Sequence, residues 1–512
     1  MPFTNLLKNL ARSMRVILVF LVQLATFFSA ISQSYVLTYG DKIDPISARR
    51  KSFNSFLLPS KKESDLLVVL KDEKKIQYVL LNNFAPTDRI LSDSVGYTPV
   101  LIKQSGVQYL GGSSNGQQFH LVYLDKDGNT NLLKTEHVDF ANHGITEESK
   151  PVMQEGETYL TSFTEFNRFI MIAVNDYLGQ MCFYTVDSTG ILNKKVVQID
   201  LKNLTAADEK LSDYFAGPVI KKQSADIGLE QAAKQVKLYS QKERLVFTVN
   251  RENKPTQVIY VSLPDFSLNY TQINHNELFN ETNGGKSIVN TWYSNDTLFV
   301  LGIGKKQVGI GLYKASSATF LSKTIINDKS ESRFAREPEK IERRGAESNS
   351  KEIKESALSS LLFNNDAAIL ARKNDGQWLI EVGNFHYVPP GFGTTSGGGA
   401  ISFWTPNPDN NMSAGHPPLS FVSFYIPGRI PGLSRKSYFY NSIHFGLLLD
   451  QQLSPAYGKF PASRFERIKD NIFEINDDAV GVVQFSFQGK EYYGYYDMTT
   501  QRYYIKLLNT GN

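Results

Sequence analysis

The chain has 512 residues, 41% hydrophobic and 12% aromatic, with 55 Lys and Arg against 51 Asp and Glu and one cysteine. So even a charge balance gives no electrostatic footprint for nucleic acid, and a single cysteine excludes an internal disulfide. The length allows a large core, either in two to four ordinary domains or in one closed β array.

The first 32 residues read as a signal peptide. Lys8, Arg12 and Arg15 form a basic start without acids, and residues 16–30 are mainly apolar. Ala30-Ile31-Ser32 then offers small residues at the two positions a signal peptidase inspects, so cleavage is expected between Ser32 and Gln33. The apolar run is short for a spanning helix and has no basic stop-transfer after it; an uncleaved anchor is the rival reading. Removing three bases and no acids lowers the formal charge from +4 to +1. No cysteine stands at the end of the apolar run for lipid attachment. An exported chain of this size without disulfides points to a bacterial periplasmic or secreted protein.

Beyond the leader, one pattern recurs: apolar strand, polar turn, apolar strand, polar turn, third strand. "RFIMIAVNDYLGQMCFYTVDSTGILNKKVVQIDL" (168–201) is its clearest copy. Residues 244–273, 297–326 and 479–508 follow the same layout, and weaker copies begin at Leu66, Gln117 and Ala367. Their turns carry the Asp-Gly, Asn-Asp or Gly-Lys pairs that tight hairpins need. First hairpin turns fall near residues 73, 127, 177, 253, 305, 375 and 488. Apart from the last, much larger gap, spacing of about fifty to seventy residues fits propeller blades better than solenoid coils. The expected fold is therefore all-β: a β-propeller of about seven blades, with six to eight in range and small helical decorations. Stacked β-sandwiches are the rival. "SYVLTYG" (34–40) is placed to join the last sheet and close the ring.

Three stretches break the pattern. In 205–240, Thr205 is placed to cap a short helix with Asp208 in its first turn. The segment 329–358 is dense in mixed charge, with eight bases and seven acids in 329–355, and reads as a flexible insertion or solvated helix. Residues 386–440 are the longest departure. They hold His386, Tyr387, the run "VPPGFGTTSGGGAISFW" (388–404), Trp404, His416, Tyr425, Arg429 and Arg435. "AISFW", "LSFVSFYI" and "IHFGLLLD" leave room for a further blade there.

The glycine run is no phosphate cradle. From Gly393 the P-loop spacing reaches Gly398, but Gly399 and Ala400 stand where Lys and Ser/Thr are required. Ser396 occupies the third glycine position of the dinucleotide pattern, and a strand rather than a helix follows. "GSSNG" (112–116) spells a hydrolase elbow, yet the alternating "QQFHLVYL" after it makes a hairpin. "DKDGN" (125–129) is a hairpin turn that leaves room only for a loose surface calcium site, and no other cofactor is implied. The seven histidines show no tight ligand spacing. Cys182 lies in an apolar strand as a buried thiol.

Through this repeat grammar the chain resembles the broad group of secreted bacterial β-propellers, without pointing to one family. The resemblance implies a ring whose loops gather on one face. We expect a binding or scaffolding module for a protein or glycan partner in the cell envelope, contacted by His386, Tyr387, Trp404, Tyr425, Arg429 and Arg435. A carbohydrate-active enzyme with axial carboxylates and an envelope-anchored complex subunit are the alternatives; no catalytic residue is legible.

Overall fold

A computed structural model describes residues between 54 and 507, apart from 83–95, 98–100, 105–107, 200–208, 222–226, 279–287, 328–339, 345–350, 353–361, 363–366, 389–438, 457–478, 498–501 and several one- to three-residue turn positions. The leader, its cleavage site and the 34–40 strand lie outside the described residues.

The described chain is almost wholly β, in seven sheets taken in sequence order. The first holds β1 (Asn54–Pro59), β2 (Leu66–Lys71), β3 (Lys75–Asn82), β4 (Gly96–Tyr97) and β5 (Leu101–Gln104). The second is the meander β6 (Gln108–Ser114), β7 (Gln118–Asp127), β8 (Thr130–Asp139) and β9 (Gly144–Pro151). The third is the meander β10 (Glu157–Glu165), β11 (Arg168–Asn175), β12 (Gln180–Val186) and β13 (Leu192–Gln198). The fourth runs through β14 (Val219–Lys221), β15 (Val236–Ser240), β16 (Arg244–Val249), β17 (Thr256–Ser262) and β18 (Leu268–Ile273). The fifth is β19 (Ile288–Ser294), β20 (Thr297–Ile303), β21 (Gln307–Lys314) and β22 (Thr319–Asn327).

The sixth sheet is assembled differently. β25 (Ala367–Asn374), β26 (Gln377–Val388) and β27 (Phe439–Leu449) form its body, but its outer strands, β23 (Lys340–Arg344) and β24 (Lys351–Glu352), come from the chain ahead of β25. The seventh has three described strands, β28 (Ala479–Phe487), β29 (Lys490–Asp497) and β30 (Arg502–Leu507).

Period-two alternation explains how the sheets stack. Leu67 and Val69 of β2 pack with Tyr109, Phe119 and Tyr123 of the second sheet, whereas Leu66, Val68 and Leu70 pack with Phe485, Tyr492 and Tyr503 of the seventh. In β11, Phe169, Met171 and Ala173 face the second sheet, and Ile170, Ile172 and Val174 face the fourth. A strand covered on both faces needs an unbroken apolar run, and β11 is buried at every position after Arg168. The edge strand β13 instead mixes half-buried and exposed positions, with none fully buried. Another core cluster joins the fourth, fifth and sixth sheets.

This layering corrects the repeat boundaries read from sequence. The copies beginning near 66, 117, 168 and 297 start at the second strand of their sheets, and the copy at 244 starts at the third, β16, not the first. The missed first strands, such as β6 (QYLGGSS) and β10 (ETYLTSFTE), are rich in Gly, Ser, Thr and Glu and carry little hydrophobic signal. "IHFGLLLD" is no further sheet: its residues 443–449 belong to β27, while "AISFW" and "LSFVSFYI" lie outside the described residues.

Two insertions also differ from their sequence reading. After the third sheet come α1 (Leu211–Tyr214) and α2 (Leu229–Ala232). Thr205 and Asp208 lie outside the described residues, and α1 starts after Lys210, which makes no side-chain cap. The unforeseen β14 pairs parallel with β15, a three-residue strand too short to show periodicity. Beside it, Lys237 is wholly buried; its Nζ donates to the Lys234 carbonyl at 2.7 Å and to Asn290 Oδ1 at 3.3 Å, and burial lowers its pKa to about 7. Within 329–358, the described residues are strands rather than loop or helix: β23 pairs antiparallel with β27 from Lys340↔His444 to Arg344↔Tyr440. Backbone pairing of this kind leaves no mark on side-chain composition. The "GSSNG" stretch is the hairpin expected, with Ser114 ending β6 and Gln118 opening β7.

Candidate functional site

The best-defined surface feature is the connection between β11 and β12, residues 175–180, sequence NDYLGQ. A tight hairpin turn usually exposes polar residues. Here Tyr177 is 90% exposed and Leu178 is 56% exposed. Five of the seven exposed large hydrophobic side chains among the described residues belong to this third sheet: Phe166, Tyr177, Leu178, Ile191 and Val196.

The turn is pinned from several sides. Asn175 is buried, and its Oδ1 accepts from the Leu178 amide at 3.0 Å. Asp176 holds α1: Oδ1 accepts the Ser212 amide at 2.8 Å and Oδ2 accepts the Ser212 hydroxyl at 2.6 Å. Gln198 Nε2 donates to the carbonyls of Leu178 and Gly179, at 2.9 and 3.1 Å. The Ile199 amide donates to the Gly179 carbonyl at 2.9 Å, while Gly179 itself takes φ +64. The Tyr177 ring lies against Gly156, where an added Cβ would sit 3.0 Å from Tyr177 Cδ2. An exposed aromatic and an exposed leucine are thus presented on a backbone that has little freedom left to lose on contact.

Glu157, next to Gly156, anchors the base of this corner. Its side chain is fully buried and accepts from Lys194 Nζ at 2.6 Å, Cys182 Sγ at 3.3 Å, the Gln154 amide at 3.2 Å and the Tyr184 hydroxyl. Burial pushes the carboxyl up, but the Lys194, Tyr184 and Cys182 hydrogen bonds outweigh it and hold Glu157 below the ordinary range. Burial, with the Glu157 carboxylate, pushes the Cys182 thiol up to about 12. A carboxylate occupied by four donors and a protonated buried thiol supply neither a general base nor a nucleophile. The cluster supports the turn rather than performing chemistry.

Of the residues singled out from sequence, His386 and Tyr387 lie near the end of β26, opposite Asn441 and Tyr440 of β27. Trp404, His416, Tyr425, Arg429 and Arg435, with the glycine run, lie outside the described residues. The sixth sheet does show how the 389–438 connection is rooted. β25 pairs with β26 only as far as Asn384, whereas β26 and β27 stay paired to Val388↔Phe439. That hairpin therefore runs roughly 13 Å beyond its neighbour. Both β11 and β26 precede the third strand of their meanders, so 175–180 and 389–438 occupy equivalent connections. Sequence reasoning passed over Tyr177 and Leu178 because Asn-Asp marked a turn; a Tyr-Leu pair inside that turn was the available signal.

Among the described residues, no group of three or more His, Cys, Asp or Glu is arranged to hold a metal ion, and no helix is long and apolar enough to cross a membrane. The "DKDGN" stretch ends β7 at Asp127 and resumes at Thr130 in β8, with residues 128–129 outside the description.

No family description and no curated protein matches the chain. Among solved structures it is similar to an uncharacterized Listeria monocytogenes protein, at 8% identity and TM-score 0.30, covering 92% of this chain and 99% of that one. It is similar to the β-propeller domain of the trilobed protease from Pyrococcus furiosus, at 8% identity and TM-score 0.28, covering 94% and 97%. Oligopeptidase B from Leishmania major matches 52% of this chain and 32% of its own length, at 12% identity and TM-score 0.25. Likenesses this weak carry no inference about activity. The sheet layout itself is all-β and repetitive, consistent with the broad β-propeller class.

Proposed function

We propose that this chain is an extracytoplasmic, seven-bladed β-propeller that binds or scaffolds a protein or glycan partner. The observation that carries the reading is the rigid 175–180 turn, which presents Tyr177 and Leu178 to solvent. In a ring of equivalent sheets, this turn and the end of β26 at Val388, from which the 389–438 connection departs, lie at the same end of their sheets. Leucine beside tyrosine favours a protein surface, since a glycan site needs hydrogen-bonding groups for the sugar hydroxyls beside its aromatic face, and leucine supplies none.

Closure of the ring draws support from the first and seventh sheets. They share one core cluster, and the Tyr503 hydroxyl donates to Ser55 Oγ at 3.1 Å. Among the described residues the seventh sheet has three strands, and we infer that residues 34–40 complete it beside β30. Export, with cleavage before Gln33, rests on the leader alone; N-terminal sequencing of the exported protein tests it. A photo-crosslinking residue at position 177, compared with one at exposed Lys195, tests the binding face. A partner adduct at 177 and none at 195 is expected; equal labelling at both positions would remove the assignment.

A further inference from the structure

Ser113 of β6, His120 of β7, His137 of β8 and Thr146 of β9 stand opposite one another in register across the second sheet. The two imidazoles turn to meet: His120 Nδ1 lies 2.7 Å from His137 Nδ1, with the rings 76° apart. A contact that short between ring nitrogens holds one proton, donated by one ring and accepted by the other. His120 Nε2 is buried without a hydrogen-bond partner among the described residues, and the Ser188 backbone lies near the ring. Whichever ring donates, the Nδ1–Nδ1 contact holds a single proton while both imidazoles are neutral.

The third sheet closes over this pair through the connection between β12 and β13, residues 187–191. Gly190, at φ +76, comes so near that an added Cβ would lie 2.6 Å from His120 Nδ1 and 2.8 Å from Cε1 of each ring. Ser113 Oγ donates to the Asp187 carbonyl at 2.5 Å, and Lys61 Nζ reaches Ser188 Oγ at 3.5 Å. The charged groups around the seam are Asp187, with Arg168 acting on it, and Lys61 at the rim. Asp187 Oδ1 is engaged by the Thr189 amide and hydroxyl, at 2.8 and 2.6 Å. Among the described residues no carboxylate hydrogen-bonds either imidazole.

We propose that the His120–His137 pair is an acid-sensitive latch on the seam between the second and third sheets, holding residues 187–191 closed while its Nδ1–Nδ1 contact holds one proton and releasing them when that contact takes a second. A second proton in that contact turns N–H···N into two opposed N–H groups and adds a positive charge to the pair, under a glycine that leaves no slack. Burial and the nearby His137 hold His120 down at about 4, against weaker upward pulls from the Ser188 backbone and Asp187. A histidine lowered on folding gives stability that is complete above its ordinary value near 6.5 and is lost as pH falls toward 4. Ile191, 54% exposed and next to Gly190, moves with the released segment, so acid alters an apolar surface.

Hydrogen exchange of the full chain between pH 7.5 and 4.5, corrected for intrinsic rates, tests the latch. Protection of residues 186–192 should fall at least tenfold on acidification while β11 stays protected. His137→Asn keeps an acceptor for His120 but does not titrate, and should cut that fall to less than threefold. Asp187→Asn should leave the fall intact, since Asp187 is held below the ordinary carboxylate range by its Thr189 hydrogen bond. Gly190→Ala should open the segment already at neutral pH. Unchanged native protection across the range would overturn the proposal. So would a native-like fall in His137→Asn, a lost fall in Asp187→Asn, or full neutral protection in Gly190→Ala.

Discussion

The third and sixth sheets solve the same packing problem with different chain paths. In the third, four strands follow one another through short turns, and the outermost strand β13 is the last in sequence. In the sixth, β23 comes first in sequence yet pairs on the outside, and the second and third strands are separated by 389–438. Their interiors are nevertheless alike: Ile172 in β11 and Ile380 in β26 are both fully buried in apolar clusters. Core burial thus belongs to the sheet, while the path that completes its edge is free to vary, and variation at the edge creates connections that can be elaborated.

The sharpest way to break that equivalence is a matched pair of core truncations. Ile172→Ala and Ile380→Ala should each lower the unfolding free energy by about 3 kcal/mol, because each deletes buried methyl groups from a two-sided layer. Urea denaturation measures both. An Ile380 variant near wild type would mean that the sixth sheet is not packed as the third is.

A buried carboxylate gives the next effect. Glu157→Gln leaves Lys194 facing an amide and should cost about 2–3 kcal/mol at pH 7, toward the low end for a broken pair because Lys194 retains 23% exposure. Glu157 is lowered on folding, so its contribution is present above the ordinary carboxylate value and is lost as pH falls through the folded one. The stability difference between wild type and Glu157→Gln should therefore narrow in acid, as thermal melts from pH 7 to 3 would register.

A smaller change tests the borrowed edge. Replacing 329–358 by a short flexible linker removes β23 and β24, and should cost about 1–2 kcal/mol through lost strand pairing with β27. Read from composition as a flexible insertion, the segment would be removed with little loss of stability, since loop closure varies slowly with length. A deletion variant with wild-type stability would restore that view and remove β23 from the sheet's energetics.

The same contrast explains what was legible in the sequence. β11 and β12 announce themselves because burial on both faces forces continuous apolar runs, and Asn-Asp marks the turn between them. β10 is nearly silent: Glu157 and Thr158 open it, and Ser162 and Thr164 punctuate it. β23 carries mixed charge, and its pairing with β27 spans about a hundred residues of chain, which no local pattern encodes. The site was partly legible. Aromatic and arginine content drew attention to 386–440, but the exposure of Tyr177 depends on hydrogen bonds from Ser212 and Gln198, which only the folded chain brings together.

The central claim is that a rigid turn presents Tyr177 and Leu178 for contact, and a double substitution tests it most directly. Tyr177→Ser with Leu178→Ser should leave the melting temperature unchanged, since neither side chain is buried and the pins on the turn come from Asn175, Asp176 and Gln198. It should weaken binding to the partner crosslinked at position 177 at least tenfold, beside a smaller loss for Arg429→Ala with Arg435→Ala. An unchanged affinity in the serine variant, with the fold intact, would contradict the account.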